Sequence, residues 1–321
     1  MTTTTVSVGG ASAGRADVTS RRARPGLSRR RRETRAAALF LAPDLIGLAV
    51  FVGVPMVLSV ILSFMSISGF GSYRWVGLAN YQRMVADPLF WHSAWVTVLY
   101  IVVGVPLLFV VSLALGLLIQ QKLPGVGAMR TMFFLPYVLS SVVVGLVWRF
   151  MLDDQTGVVN SGLRSVGLPG ESWLGSPGLA LATVIAIGTW VAMGYYMVIF
   201  LSGLQDIPRE YYEAAKVDGA GSVASFRLIT WPLLRPTSFF VLLMSTVAAI
   251  TGGFDTIFVL TSGGPANGTT VLVFYIYQQA FQYGEFGYSA AMGTVLVVVM
   301  LLASLVVFRA THGGRFSDDH D

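Results

Sequence analysis

The stretch DIPREYYEAAKVDGAGSVASFRLITWPLLRP, residues 206–236, decides how the rest of the chain is read. It sits between two long apolar runs and, at about 30 residues, is several times longer than a connection between neighbouring helices needs to be. Its residues spell two short helices with punctuation between them. Pro208 suits a first helical position, and Glu210 and Glu213 fall in the first turns, where the helix dipole favours anions. Arg209 and Glu213 are four apart and Glu213 and Lys216 three apart, which puts those charges on one face. Gly219 and Gly221 end the first helix, and Ser222 is placed to cap a second that runs up to Pro232. Ala214 and Ala215 leave the backbone open to close approach by another protein. A solvated amphipathic hairpin lying on a surface would show the same spacing, so spacing alone leaves both readings open.

Working outward, the chain is 55% hydrophobic and 12% charged, where a soluble domain is about 45–50% apolar and about 25% charged. Lipid is its expected solvent. A helix crosses a hydrocarbon core of about 30 Å with about 20 mostly apolar residues. Six stretches meet that length, approximately 36–65, 93–121, 131–151, 179–204, 236–260 and 287–309. The expected fold is therefore all-α and integral to a membrane, with about six transmembrane helices and a two-helix loop over residues 206–235. Asp44, Asp255 and Arg149 are the only clear ionisable groups inside the spans, and Pro55, Pro106 and Pro136 interrupt them, as membrane helices tolerate. The organisation expected is a disordered basic tail at 1–35, the transmembrane domain at 36–310 and a short tail at 311–321. The first apolar run exceeds the roughly 7–15 residues of a signal-peptide core and is expected to be retained.

Orientation follows from the basic residues. With the N-terminus inside, seventeen of the 21 Lys and Arg fall on the cytoplasmic side, among them Arg29 to Arg32, and only Arg74, Arg83, Arg149 and Arg164 on the other. That asymmetry puts both termini in the cytoplasm. The arginine run reads either as a binding patch for nucleic acid or anionic lipid or as a topology signal beside the first span, and the topology signal is preferred, with no nucleic-acid partner. Tyr73, Trp75, Trp91, Trp95, Trp148 and Trp173 cluster where this topology puts the outer interface, as an aromatic belt does.

Several chemistries are excluded. There is no cysteine, so thiol catalysis and Cys-ligated metals are out, and the three histidines, His92, His312 and His320, are placed in loops or the tail. A phosphate-cradling loop needs Lys followed by Ser or Thr, but Lys122 precedes Leu123 and Lys216 precedes Val217. No G-x-S-x-G elbow is present. No catalytic residue and no metal ligand is assigned, and the energy for uphill transport is expected from another chain.

Glu213, Ala214, Ala215, then Gly219, Ile229 and Pro232 resemble the EAA loop of ATP-binding-cassette importer permeases. That family usually has Leu before the final proline where Trp231 stands here. Further matches narrow the resemblance: the Pro55 to Phe64 run, Gly77, Leu78, Asn80 and Tyr81, then Phe254, Asp255, Leu260, Thr261, Gly263, Gly264 and Pro265, then Tyr275, Tyr277, Ala280 and Phe281. Over residues 38–309 the chain is similar to the carbohydrate uptake type 1 group, and most to the first permease of maltose-type, multiple-sugar and glycerol-3-phosphate-type systems.

The resemblance implies a type I importer permease in a bacterial inner membrane, paired with a second homologous permease, an ABC ATPase dimer and an extracytoplasmic solute-binding protein. No cofactor is implied in this chain, with ATP and Mg held by the partner ATPase. By carry-over Glu213 is the charged contact to the ATPase, Ala214, Ala215 and Gly219 shape the docked surface, and Asp218 and Arg209 contribute to it or only stabilise the loop. Thr189, Tyr195, Thr246, Ile250, Gly253 and Asp255 fall near the solute site of the maltose-type relatives. Gly188, Ile250 and Gly253 replace polar amide residues there, so the maltose contacts do not transfer, and helix packing is the alternative role for these positions. An ion-coupled secondary transporter and a non-transport membrane scaffold are the rival functions. The solute's identity is expected to be set by the binding protein and by a pocket shared with the second permease.

Overall fold

The computed structural model describes residues 27–68, 72–121 and 124–310 and divides into a unit of residues 1–56 and a unit of residues 57–321. In the first, α1 (Leu27–Leu48) runs through a π turn at Ala49–Gly53 into α2 (Val54–Leu62), which straddles the boundary. Pro55 has no N–H to give to the Phe51 carbonyl, and the backbone widens into the π turn just before it. The helix already runs at Leu27, so residues 27–35, expected to be disordered, are helical. Leu, Arg, Glu and Ala are good helix formers, and extending an existing helix avoids the cost of nucleating one. The rest of the expected tail, 1–26, and the tail at 311–321 lie outside the described residues. No side chain in the apolar window of Ala38–Leu62 is buried, and Phe40 and Phe51 are 86% and 79% exposed. A surface this apolar is stable against lipid tails and not against water.

The second unit adds a small hairpin to the all-α expectation. β1 (Met65–Ser68) pairs antiparallel with β2 (Ser72–Trp75), Met65 opposite Trp75. Asn80 explains part of the motif noted in the sequence. Its Nδ2 donates to the carbonyls of Ser63 (2.8 Å) and Met65 (2.9 Å), while Tyr81 and Ser63 share a hydroxyl bond of 2.7 Å. Asn80 and Tyr81 belong to α3 (Ala79–Ala86), and the Asp87 carboxylate then caps α4 (Pro88–Gln120) by accepting from the Leu89 N–H at 2.9 Å. Because α4 begins earlier than expected, His92 lies in its first turns and not in a loop.

The third stretch, expected as one span, is two helices, α5 (Val126–Val138) and α6 (Ser141–Met151), bent by 98°. Pro136 withholds a helical N–H, and Leu139 and Ser140 turn extended. After α7 (Val158–Ser165), α8 (Pro177–Gln205) is the centre of the packing, with Ala180, Val184, Met197 and Phe200 fully buried. Close approach is achieved with small residues: a side chain on Gly194 would overlap the Phe133 backbone, and one on Gly203 would overlap Thr237.

The loop after α8 holds α9 (Arg209–Val217), α10 (Ser222–Ser225), a π turn at Phe226–Thr230 and α11 (Trp231–Leu233). The chain bends 66° into α12 (Arg235–Gly252), breaks at Gly253 and resumes as α13 (Phe254–Leu260). Then come α14 (Leu272–Tyr277), a π turn at Gln278–Gln282 and α15 (Phe286–Ala310). Among the described residues three helices are long and apolar enough to cross a membrane, and bent pairs raise that to five. The sixth expected stretch falls in α15, whose 25 residues make about 37 Å at the helical rise.

Candidate functional site

The loop at 206–236 is built as its residues dictate. Pro208 has an extended backbone (φ −59°, ψ 135°) and fixes the start of α9 at Arg209. The helix ends in a Schellman motif, with the Ala220 N–H bonded to Ala215 O at 2.8 Å, the Gly219 N–H to Lys216 O at 3.1 Å and Gly219 left-handed at φ +79°. Ser222 does not cap the second helix: it is already the first helical residue, Gly221 takes the cap position, and no side chain bonds there. The two arms are tied by the Tyr212 and Thr230 hydroxyls at 2.9 Å. Ile207, Tyr212 and Ile229 root the loop in the cluster of Phe200, Leu204 and Leu234. Trp231, the residue that departs from the family pattern, packs edge-on against Phe109 of α4 and beside Phe226 while 37% of it stays exposed, so the larger side chain is accommodated at the surface against its own fold.

Arg209, Glu213, Ala214, Asp218 and Gly219 are exposed and Ala215 is half-buried. The charges that spacing sets on one face form no ion pair: among the described residues the pair formed is Arg83 with Glu285, at 3.1 Å. Apolar groups stand beside them, with Val217 88%, Val223 72% and Leu228 75% exposed. An exposed carboxylate next to uncovered aliphatic side chains, on a loop held rigidly from below, is the anatomy of a protein-docking surface.

The same helices enclose a cavity of about 240 Å³ between α4, the α5–α6 bend, α8, α12 and α13. Thr189 lines it; Tyr195, Thr246, Ile250, Gly253 and Asp255 do not. Tyr195 stands behind the lining, its ring stacked on Tyr137 at 4.7 Å. The Thr246 hydroxyl donates to Leu242 O in its own helix at 2.7 Å, and Asp255 is exposed in the first turn of α13. Sequence reasoning missed Tyr100, Tyr137, Ser141, Ser245 and Thr256, which supply the polar lining with Thr189 and Tyr196. The signal was present as hydroxyl residues inside apolar spans, one position from Thr246 in the case of Ser245. The lining carries no carboxylate and no imidazole.

At the far end of the bundle from the loop, a polar pocket of about 510 Å³ is lined by Arg149, Asp153, Asp154, Gln155 and Thr261 among others. The Asp153 carboxylate accepts from the N–H and hydroxyl of Thr156 and the N–H of Gln155, and these donors hold its pKa below the ordinary value. Among the described residues no group of three or more His, Cys, Asp or Glu is placed to hold a metal ion.

Residues 115–312 match the family described as binding-protein-dependent transport system inner membrane component. YesP, a probable ABC transporter permease protein of Bacillus subtilis strain 168, is 37% identical over 88% of this chain and 92% of its own. LacF, a lactose transport system permease protein of Rhizobium radiobacter, is 36% identical over 85% of this chain and 92% of its own. The crystal structure of a bacterial ABC transporter involved in import of the acidic polysaccharide alginate contains a chain that superposes with a TM-score of 0.77 at 26% identity, covering 88% of this chain and 96% of that one.

Proposed function

Since this chain belongs to the family of binding-protein-dependent transport system inner membrane components, we propose that it forms half of the pathway for a sugar or sugar-like solute and takes its energy from a separate ATPase docked on the loop at 206–236. It is a permease, a transport subunit and not an enzyme, in the inner membrane. The lactose permease among its relatives and the alginate importer support the carbohydrate class. The partners proposed are a second, homologous permease, an ATPase dimer that holds ATP and Mg, and a solute-binding protein outside; none of these cofactors belongs to this chain. Both termini and the loop are assigned to the cytoplasm.

One observation carries the mechanism: α8 and α12 both line the cavity and both enter the exposed loop. From Thr189 to Gln205 along α8 is about 24 Å at the helical rise, with Phe200 and Leu204 buried between. A pull on α9 by the ATPase is therefore transmitted as rigid-body movement of helices whose upper halves bound the cavity, which is alternating access. In this assignment Glu213 is the charged contact, Ala214, Ala215 and Gly219 shape the docking surface, and Arg209 and Asp218 flank it. Thr189, with the hydroxyls of Tyr137, Ser141, Ser245 and Thr256, offers a solute its hydrogen bonds. Tyr195 holds Tyr137 in place from behind, while Thr246, Ile250, Gly253 and Asp255 shape the helices around the cavity. An ion-coupled carrier normally places a carboxylate, an imidazole or a basic group on the path, and the lining of this cavity has none of these.

The test is purification from native membranes followed by reconstitution in liposomes. A second permease and an ATPase should co-purify, and uptake of a panel of radiolabelled lactose, maltose, trehalose and sn-glycerol 3-phosphate should require ATP and the binding protein. Uptake by this chain alone, or uptake driven by a proton or sodium gradient without ATP, would overturn the proposal.

A further inference from the structure

Tyr100 of α4 belongs to none of the expected sites, yet two glycines on other helices are shaped to it. A methyl group on Gly188 of α8 would lie 3.1 Å from the Tyr100 hydroxyl, and one on Gly253 would lie 3.2 Å from Cζ and 3.4 Å from Cε1 of the same ring. Both positions thus give the ring room that any other residue would take from it. Gly253 is also the break between α12 and α13, so the ring is seated against the point where the fifth span is discontinuous. Tyr100 lines the cavity, and its hydroxyl is in none of the hydrogen bonds among the described residues, which leaves one donor and acceptor for a solute.

We propose that Tyr100 sets the size limit of the solute path. With the ring on Gly188 and Gly253 the cavity holds about 240 Å³, below the roughly 300–1,000 Å³ of pockets that enclose drug-sized ligands. That volume is this subunit's own share of the path and suits one sugar ring, so Tyr100 limits how much of a longer saccharide this subunit can receive at once unless the ring moves. The proposal rests on the cavity being part of the solute path, and it gives Gly188 and Gly253 a shared reason: the space a side chain there would fill belongs to Tyr100.

The chain has no cysteine, so a single introduced thiol reports on the cavity. In the whole reconstituted complex, Ala249→Cys, whose parent residue lines the cavity, is labelled without nucleotide by a small methanethiosulfonate and by a bulky fluorescein maleimide. Tyr100→Ala should raise labelling by the bulky reagent relative to the small one by about tenfold, and Tyr100→Phe should leave the ratio unchanged, since overpacking is governed by ring volume. The glycines give a second measurement that does not depend on the alanine variant folding. Gly188→Ala meets only the hydroxyl, so its effect on labelling should be reversed by Tyr100→Phe; Gly253→Ala meets ring carbons, so its effect should persist with Phe and be relieved by Tyr100→Leu. An unchanged size ratio in Tyr100→Ala, or rescue of both glycine variants equally by Phe, overturns the size-limiting role. Uptake of the best-carried saccharide from the panel, measured before and after labelling of Ala249→Cys, separates the two levels. Blocked uptake with an unchanged ratio refutes only the role of Tyr100, whereas unimpeded uptake after full labelling refutes the cavity as the path.

Discussion

Gly219 shows how a single position ties the sequence to the proposed coupling. Its φ of +79° closes α9, and a Cβ built there meets nothing within 4 Å, so any penalty for substitution comes from the backbone and not from crowding. A left-handed L-residue costs about 1–2 kcal/mol, with Asn the best tolerated. Binding-protein-stimulated ATP hydrolysis should therefore fall in the order Gly, Asn, Ala, Val, even though Asn is larger than Ala; Ala outperforming Asn would mean that the loop does not need this conformation. Glu213 acts differently. It is exposed and unpaired among the described residues, so Glu213→Lys should change the stability of the isolated permease by at most about 0.5 kcal/mol. Against an ATPase cleft that desolvates it, the same change should cost about 2 kcal/mol or more of docking. Co-purification of the ATPase with the variant checks this, and wild-type recovery at normal expression would return the loop to the solvated hairpin reading. The left-handed turn at Gly219 and the exposed helical placement of Glu213 were legible because each is set by its immediate neighbours. The cavity was less so: Ser245 lines it and Thr246 does not, a difference of about 100° around the helix that no local signal resolves.

Whole elements were legible where apolar length alone defines them, and less so where geometry depends on a partner. All six expected stretches are mostly helical, but the first runs into β1 at Met65 and the fifth breaks at Gly253; the bend between α5 and α6 depends on where the chain turns extended after Pro136, and the hairpin depends on Asn80 reaching back to Ser63 and Met65 across fifteen or more residues. A second long-range node joins the N-terminus of α4 to α14 and α15. The Asp87 carboxylate accepts from the hydroxyls of Tyr275 at 2.5 Å and Tyr288 at 2.6 Å, while Arg83 lies over the Tyr288 ring and pairs with Glu285. Burial pushes the Asp87 carboxyl up, but the donors from Tyr275, Tyr288 and the Leu89 and Phe90 backbone push it down further, and the net pKa lies below the ordinary value. A depressed folded-state pKa means that the stabilisation is complete above the unfolded value, about 3.9, and is lost as pH falls through the folded one. The complex should therefore lose no stability through this group between pH 7 and 5. Asp87→Asn should cost about 1–2 kcal/mol at pH 7, reduced by the partial exposure of the site. Thermal unfolding followed by intrinsic fluorescence checks both statements, and a variant as stable as the parent at pH 7 would show that the two tyrosines do not depend on the charge.

At the scale of the molecule the remaining question is which end of the bundle faces the ATPase. The fold is neutral on this point, because α4 and α8 run in the same direction and either end of the pair suits either side of a membrane: Gln120 Nε2 donates to Leu204 O at one end, and the Asp87 node stands at the start of α4 at the other. Charge distribution breaks the tie. Seventeen of 21 basic residues lie at the termini or in the segments joined to the loop end, and four on the opposite side; of those four, Arg83 pairs with Glu285, and Arg149 and Arg164 donate to backbone carbonyls. Three of the four minority charges are thus held by local structure, while the majority stand where the positive-inside rule would retain them if the loop end faces the cytoplasm. A reporter active only outside the membrane, fused after Asp321, should give background signal, and the same reporter inserted after Gly167, between α7 and α8, should be strongly active. Charge reversal supplies the causal arm: replacing Arg29 to Arg32 with glutamate should weaken insertion of the first span without inverting the later ones, since eight basic residues on the loop side against four remain when all nine before that span are discounted. Strong activity at Asp321 in the parent chain would place the exposed Glu213 loop on the side without ATP, and the proposed coupling would fall with it.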